Sequence, residues 1–166
     1  MPARKLDPSI AETTSAQHDT FVIERELEFS PAQVFAAWAD PVAKARWFSG
    51  TAEQWKELVR ESDFRVGGRE RVNGAWTNGP VSKFDAHYLD IVPDQRIVYS
   101  YVMHIDDRKI SASLATVEFE PSGAGSRLIV TEQGVFLDGY DDAGSRERGT
   151  QSLLDNLAAS LRTPEA

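Results

Sequence analysis

Between Trp55 and Phe136 the chain repeats one unit, a strand-length run rich in Val, Ile, Phe and Tyr followed by a tight turn. The runs cover residues 55–61, 69–76, 81–92, 96–104, 112–120 and 126–136. Between them stand turn formers: Asp63 to Gly68 with two glycines able to take positive φ, Thr77-Asn78-Gly79-Pro80, Pro93-Asp94, and Pro121 to Gly125. An antiparallel meander of this kind presents an apolar face that something must cover. Only one element is long enough, a helix over residues 142–161 with Leu153, Leu154, Leu157 and Leu161 along one stripe. These constraints predict an α+β architecture in which a curved antiparallel sheet of about seven strands wraps a long C-terminal helix. A curved sheet gripping a helix leaves space between them, and a ligand would sit there.

The segment ahead of the meander supplies the seventh strand and two short helices. Residues 20–29 alternate, with Phe21, Ile23, Leu27 and Phe29 on one face and Val22, Glu24, Glu26 and Glu28 on the other. Arg25 breaks the pattern, because its parity puts it on the apolar face. Ser30-Pro31 is an N-cap followed by proline at the first helical position, and it starts a helix through Ala39. Asp40-Pro41 restarts the chain as a second short helix that ends near Gly50 and carries Trp47-Phe48. Residues 1–18 read as a flexible tail, 19–162 as a single domain, and 163–166 as a C-terminal tail.

Composition narrows the chemistry. The 166 residues include no cysteine, which excludes disulfides, thiolate metal sites and cysteine nucleophiles. Acidic residues outnumber basic ones 26 to 18, for a formal charge of −8, so nucleic acid and anionic membrane are not expected partners. With neither an apolar leader nor an 18-residue apolar run, a soluble, cytoplasmic protein is expected. Phosphate-binding, zinc-protease, nucleophile-elbow and dinucleotide fingerprints are missing, and no cofactor or metal is expected.

Several blocks occur in a familiar order. Ser30-Pro31-x-x-Val34-Phe35-x-Ala37-Trp38-x-Asp40-Pro41 is followed by Arg46-Trp47-Phe48, then by Asp63-x-Arg65-x-Gly67-Gly68-Arg69. Tyr88-Leu89-Asp90-Ile91-Val92-Pro93-x-x-Arg96-Ile97-Val98-Tyr99 comes next, and Val117-x-Phe119-x-Pro121-x-Gly123-x-Gly125-x-Arg127-Leu128 precedes the closing helix. From about Phe21 to Leu161 the chain resembles the SRPBCC superfamily, specifically its branch of activator-of-heat-shock-protein-ninety-ATPase-like (AHSA-type) domains. The resemblance implies a helix-grip, START-like fold with an internal cavity. It departs from that pattern at Asp94, where the family often has a second proline, and at Ser126, where it has threonine. The superfamily shares a cavity rather than a set of catalytic residues.

Candidate site residues follow from parity. Arg25 is expected to meet Glu132 inside, since the first and last strands of such a fold are neighbours and Leu128, Val130 and Glu132 share the inner parity. The pair would close the core or orient a ligand. Asp85 and His87 face the same way on one strand, and His87 facing the cavity could act as a general base. Leu89 and Ile91 favour that facing, whereas Phe84, Tyr88 and Val92 argue for the other. Tyr99, Tyr101 and Met103 share a strand face suited to an aromatic ligand, or to plain packing. Trp38, Trp47, Trp55 and Trp76 anchor helices to the sheet or wall the cavity, and Leu153 and Leu157 close it from the helix.

The expected function is binding of an apolar, aromatic or lipid-like small molecule. The alternatives are a cyclase, dehydratase or hydrolase using cavity acid–base groups, and a chaperone ATPase co-regulator, with the stress-response setting that the family resemblance carries. A homodimer is left open.

Overall fold

The computed structural model describes residues 14–163. Elements run in the order β1 (Ala16–Leu27), α1 (Pro31–Ala39), α2 (Pro41–Ala45), β2 (Trp55–Ser62), β3 (Arg69–Trp76), β4 (Val81–Val92), β5 (Arg96–Ile105), β6 (Arg108–Ser122), β7 (Gly125–Leu137) and α3 (Ala143–Arg162). The seven strands form one curved antiparallel sheet in the order β1-β7-β6-β5-β4-β3-β2. Each of β2 to β7 therefore pairs with its sequence neighbour, as tight turns dictate, while β1 closes onto β7.

The two short helices start where their caps require. The Ser30 hydroxyl accepts from the Gln33 amide, and the Gln33 side chain accepts from the Ser30 amide, which completes a capping box. Asp40 ends α1 and caps α2 through the Val42 amide. Val34, Phe35, Ala37 and Trp38 bury one face of α1 against the sheet.

Several local features depart from expectation, and α2 stops at Ala45, so Trp47 and Phe48 follow it in a turn instead of lying on the helix. β1 begins at Ala16, so residues 16–18 pair with β7 although they read as tail; residues 1–13 of that tail lie outside the description, as do 164–166. β6 is longer than expected at both ends because β5 carries its pairing back to Arg108 and β7 carries it on to Ser122. In the Asp63–Gly68 turn only Gly67 has positive φ, at 85°. Gly68 is required for a different reason: a Cβ there would lie 1.9 Å from the Asp63 carbonyl oxygen.

The departure at Asp94 also has a conformational cause. Asp94 has φ of 62°, in the left-handed region, where Asp is tolerated and proline, with φ locked near −65°, cannot go.

α3 divides the molecule. Its buried residues are Leu154, Leu157 and Ala158, all in its second half, and it packs along β1 and against α1. Its first half, from Ala143 to Ser152, is built of Ala, Gly, Ser, Thr, Gln and charged residues and buries none of them fully. Replacing Ser30 by Ala should remove the capping box and lower unfolding stability by about 1 kcal/mol, read by urea denaturation. An unchanged midpoint would show that α1 is held by packing alone.

Candidate functional site

Beneath the polar half of α3 lies a cavity of about 650 Å³. Strands β3, β4, β5 and β7 form its floor through Val72, Phe84, Tyr99, Tyr101, Met103 and Val130, and Leu153 and Leu154 close it from the helix. All four tryptophans of the chain line it. Trp38 and Trp47 meet edge to face with centroids 4.7 Å apart, and the Trp47 indole donates to the Ala37 carbonyl at 3.0 Å. Trp55 lies flat over Gly50 and Gly74: a Cβ on Gly74 would stand 1.8 Å from Trp55 Cε2. Residue 74 must therefore be glycine for Trp55 to form this end of the wall.

One end of the cavity is polar. Glu132, only 3% exposed, accepts from the Tyr101 hydroxyl at 2.6 Å and from Ser113 Oγ at 3.0 Å. Arg146, from the first half of α3, reaches down to the same group. Its Nη1 donates to the Tyr101 hydroxyl at 2.9 Å and to Glu132 Oε2 at 3.5 Å. Its Nη2 donates to Ser111 Oγ at 2.6 Å and to Asp141 Oδ2 at 2.9 Å. The guanidinium also stacks on the rings of Tyr101 and Phe136. Burial opposes its charge, but Tyr101, Glu132 and Asp141 more than compensate and raise its pKa. Burial, and then the neighbouring Glu132 charge, push the Tyr101 hydroxyl well above its ordinary value, so it stays protonated and donates.

A second buried pair stands behind the aromatic wall. Lys44 of α2 donates to Glu70 of β3 at 2.6 Å, with the two residues 3% and 2% exposed. The rings of Trp38, Phe48, Tyr88 and Tyr99 surround the ammonium at 4.6 to 6.0 Å. Burial lowers the Lys44 pKa, and the Glu70 charge and hydrogen bond oppose that shift. Neither residue lines the cavity, so the pair fastens α2 and the ring cluster to the sheet.

The cavity brings together Trp38, Trp47, Tyr99, Tyr101, Met103, Glu132 and Leu153. Leu157 lies in the closed core beyond it, fully buried. Arg25 and His87 are elsewhere, and both expectations are corrected. Arg25 does face the helix side, but β1 register sets Phe21 opposite Glu132 and Arg25 opposite Leu128. Four residues along a strand is about 13 Å, beyond the reach of a pair. Arg25 instead donates to Asp155 at 2.6 Å and to the Gln151 carbonyl at 3.2 Å, which ties β1 to α3.

His87 is exposed on the outer face of the sheet. The mixed parity of its strand is explained by a register shift between Tyr88 and Asp90. Phe84, Ala86 and Tyr88 point inward before the bulge, Leu89 is half exposed on it, and Ile91 packs inward after it. Lys44, Glu70, Asp141 and Arg146 were not anticipated. Glu70 had a readable signal, since it shares inward parity with Val72. Arg146 had none, because a charged residue on a polar half-helix reads as solvent-facing.

A curved antiparallel sheet gripping a C-terminal helix, with two short helices after the first strand, defines the helix-grip fold of SRPBCC proteins. The family model described as Activator of Hsp90 ATPase homolog 1-like protein matches residues 28–162, and the chain belongs to that family. An uncharacterised protein from Rhizobium leguminosarum is 50% identical with a TM-score of 0.85, over 90% of this chain and 97% of that one. A protein from Rhizobium loti is 49% identical with a TM-score of 0.81, over 88% of this chain and 99% of that one. An AHSA1-like protein from Aeromonas hydrophila shares the fold at 22% identity and a TM-score of 0.67, covering 87% of this chain and 92% of that one. A comparison with curated proteins found no match. Among the described residues, no helix is long and apolar enough to cross a membrane, and no three His, Asp or Glu side chains are grouped to hold a metal ion.

Two measurements test these electrostatics. Glu70→Ala strands the buried Lys44 charge and should cost about 3–5 kcal/mol, whereas Lys44→Met with Glu70→Leu should restore most of it. A double variant as unstable as the single one would refute that account of the pair. On the outer face, hydrogen bonds from Arg69 hold the Asp85 carboxyl below its ordinary 3.8, with burial opposing. A lowered folded-state pKa means that this stability is present above the ordinary value and lost as pH falls through the folded one. The stability gap between wild type and Asp85→Asn should therefore close from neutrality to strong acid; a constant gap would contradict it.

Proposed function

We propose that the protein binds an apolar or aromatic small molecule in the cavity between the sheet and α3. The observation that carries this reading is the cavity itself, about 650 Å³ of aromatic and aliphatic wall with one polar end. That size and lining match sites in which apolar burial supplies affinity and a few polar groups fix orientation. The aromatic walls are already locked edge to face, so little ordering accompanies binding. Charge is confined to Glu132, Asp141 and Arg146, while the other polar lining residues, such as Thr51, Gln54, Thr150 and Asn156, are neutral, so a polar head group would have one preferred end.

The test is a thermal-shift screen of aromatic and lipid-like compounds, with tryptophan fluorescence as a second readout because every tryptophan lies at the site. A ligand at about a hundred times its Kd should stabilise the fold by about 2.7 kcal/mol and raise Tm by more than about 5 °C. Leu153→Trp fills the cavity from the partly exposed side of α3 and should weaken such a ligand at least about tenfold with Tm preserved. A broad panel in which no compound shifts Tm or fluorescence would overturn the reading.

A further inference from the structure

The charge balance at the polar end of the cavity sets which head group it accepts. Among the residues that line the cavity the charged ones are Glu132, Asp141 and Arg146, two carboxylates against one guanidinium. An arginine in an apolar pocket ordinarily reads as a carboxylate receptor. Here most of that capacity is already used, because Nη1 and Nη2 commit their four N–H groups to Tyr101, Glu132, Ser111 and Asp141 within the chain and leave only the Nε–H. A carboxylate docking in bidentate fashion would have to displace one of these, and any carboxylate would face two fixed negative charges in a low-dielectric site.

The N-terminus of α3, whose dipole would favour an anion, is also occupied. Asp142 caps it, accepting from the Ser145 amide at 2.8 Å and from the Ser145 hydroxyl at 3.1 Å. The buried Lys44–Glu70 pair is neutral as a unit and stands behind the wall. Arg25 is bound to Asp155 outside the cavity. No free positive group faces the site among the described lining residues.

Acceptor capacity, by contrast, remains. Glu132 Oε1 accepts a single bond, from Tyr101, although a carboxylate oxygen can take two. The rings of Tyr101, Phe84 and Tyr99 line the same cavity, with Tyr101 and Phe84 centroids 4.9 Å apart. Carboxylate oxygen beside aromatic rings is the chemistry that holds an ammonium group.

We infer that the cavity selects a protonated amine on an apolar or aromatic body, with the ammonium on Glu132, and discriminates against carboxylates such as fatty acids. This inference rests on the small-molecule reading above and adds the ligand's charge to it.

Three compounds with one ring system separate the two claims: a naphthylmethylamine, the matching naphthylmethanol and naphthoate. Titration calorimetry at neutral pH and moderate salt should rank the amine first, then the alcohol, then the acid. The amine should exceed the alcohol by at least about tenfold, the worth of one charge-assisted hydrogen bond. Glu132→Gln keeps an acceptor for Tyr101 but balances the site charge, and should bring the amine-to-alcohol ratio close to one. Asp141→Asn, at a partly exposed position, should lower the ratio without touching the core, which guards against a misfolded Glu132 variant. Naphthoate binding as tightly as the amine, or a ratio unmoved in both variants, would overturn the charge inference while leaving the small-molecule reading intact. Failure of all three compounds to bind would overturn both.

Discussion

The architecture turns on the unequal halves of α3. A seven-stranded sheet curved into a trough exposes more apolar surface than one helix can cover unless the helix is apolar along its length. α3 is apolar only from Leu153 onward, and there it packs on β1 and α1. Over the first half only Arg146 descends from the helix, at the polar end, so the trough beside it stays unfilled above the floor at Phe84 and Tyr101. Protein interiors tolerate few voids larger than a water molecule, because lining atoms lose contacts. A space this large persists only if its walls cannot collapse. The interlocked rings of Trp38, Trp47, Phe48, Phe84, Tyr99 and Tyr101, braced by edge-to-face and tilted contacts between α1, the segment after α2, β4 and β5, provide that rigidity.

Two buried ionic groups hold the two sides of this trough, and each compensates for missing apolar contact. α2 is a five-residue helix, too short to be stable alone, and Lys44 fastens it to β3 through Glu70. The first half of α3 has no buried apolar anchor, and Arg146 fastens it to β5, β6 and β7 at once through Tyr101, Ser111 and Glu132. Buried charge is weak evidence for net stability, since desolvation offsets much of the attraction. Its value here is positional. A guanidinium with a fixed fork of donors specifies where the helix sits over the cavity more tightly than a leucine would.

The sequence was legible where local chemistry decides the outcome. Pro, Gly, Asn and Asp at the turns placed β3 and β4 to the residue, and Ser30-Pro31 and Asp40-Pro41 marked both short helices. That β1 lies beside β7 was also readable, from the family resemblance. Facing followed from parity until a bulge intervened: the conflict between Tyr88 and Ile91 was itself the bulge's signature, yet parity alone could not locate it. Register was not legible. Parity put Arg25 and Glu132 on one face, but pairing distance depends on the offset between two strands that are separated by most of the chain, and no local signal encodes that offset. The partners of Glu132 come from β5, β6 and α3, so its role as the hub of a polar cluster is a property of the assembled sheet.

The same distinction separates what the family specifies from what this chain specifies. The fold needs the turns, caps and trough, and these are the blocks in which the family resemblance resides. The polar end of the cavity is built on Glu132, Asp141 and Arg146 together with Tyr101, and none of these falls within those blocks. Exchanging a single charge among them would invert the sign of the site while leaving every turn and cap in place. Asp141, which is partly exposed, is the position where that charge can change with least effect on the fold, since Glu132 and Arg146 also hold α3 to the sheet. On that basis the charge count at these three positions, rather than the overall −8 of the chain, is the electrostatic quantity that bears on what the cavity holds.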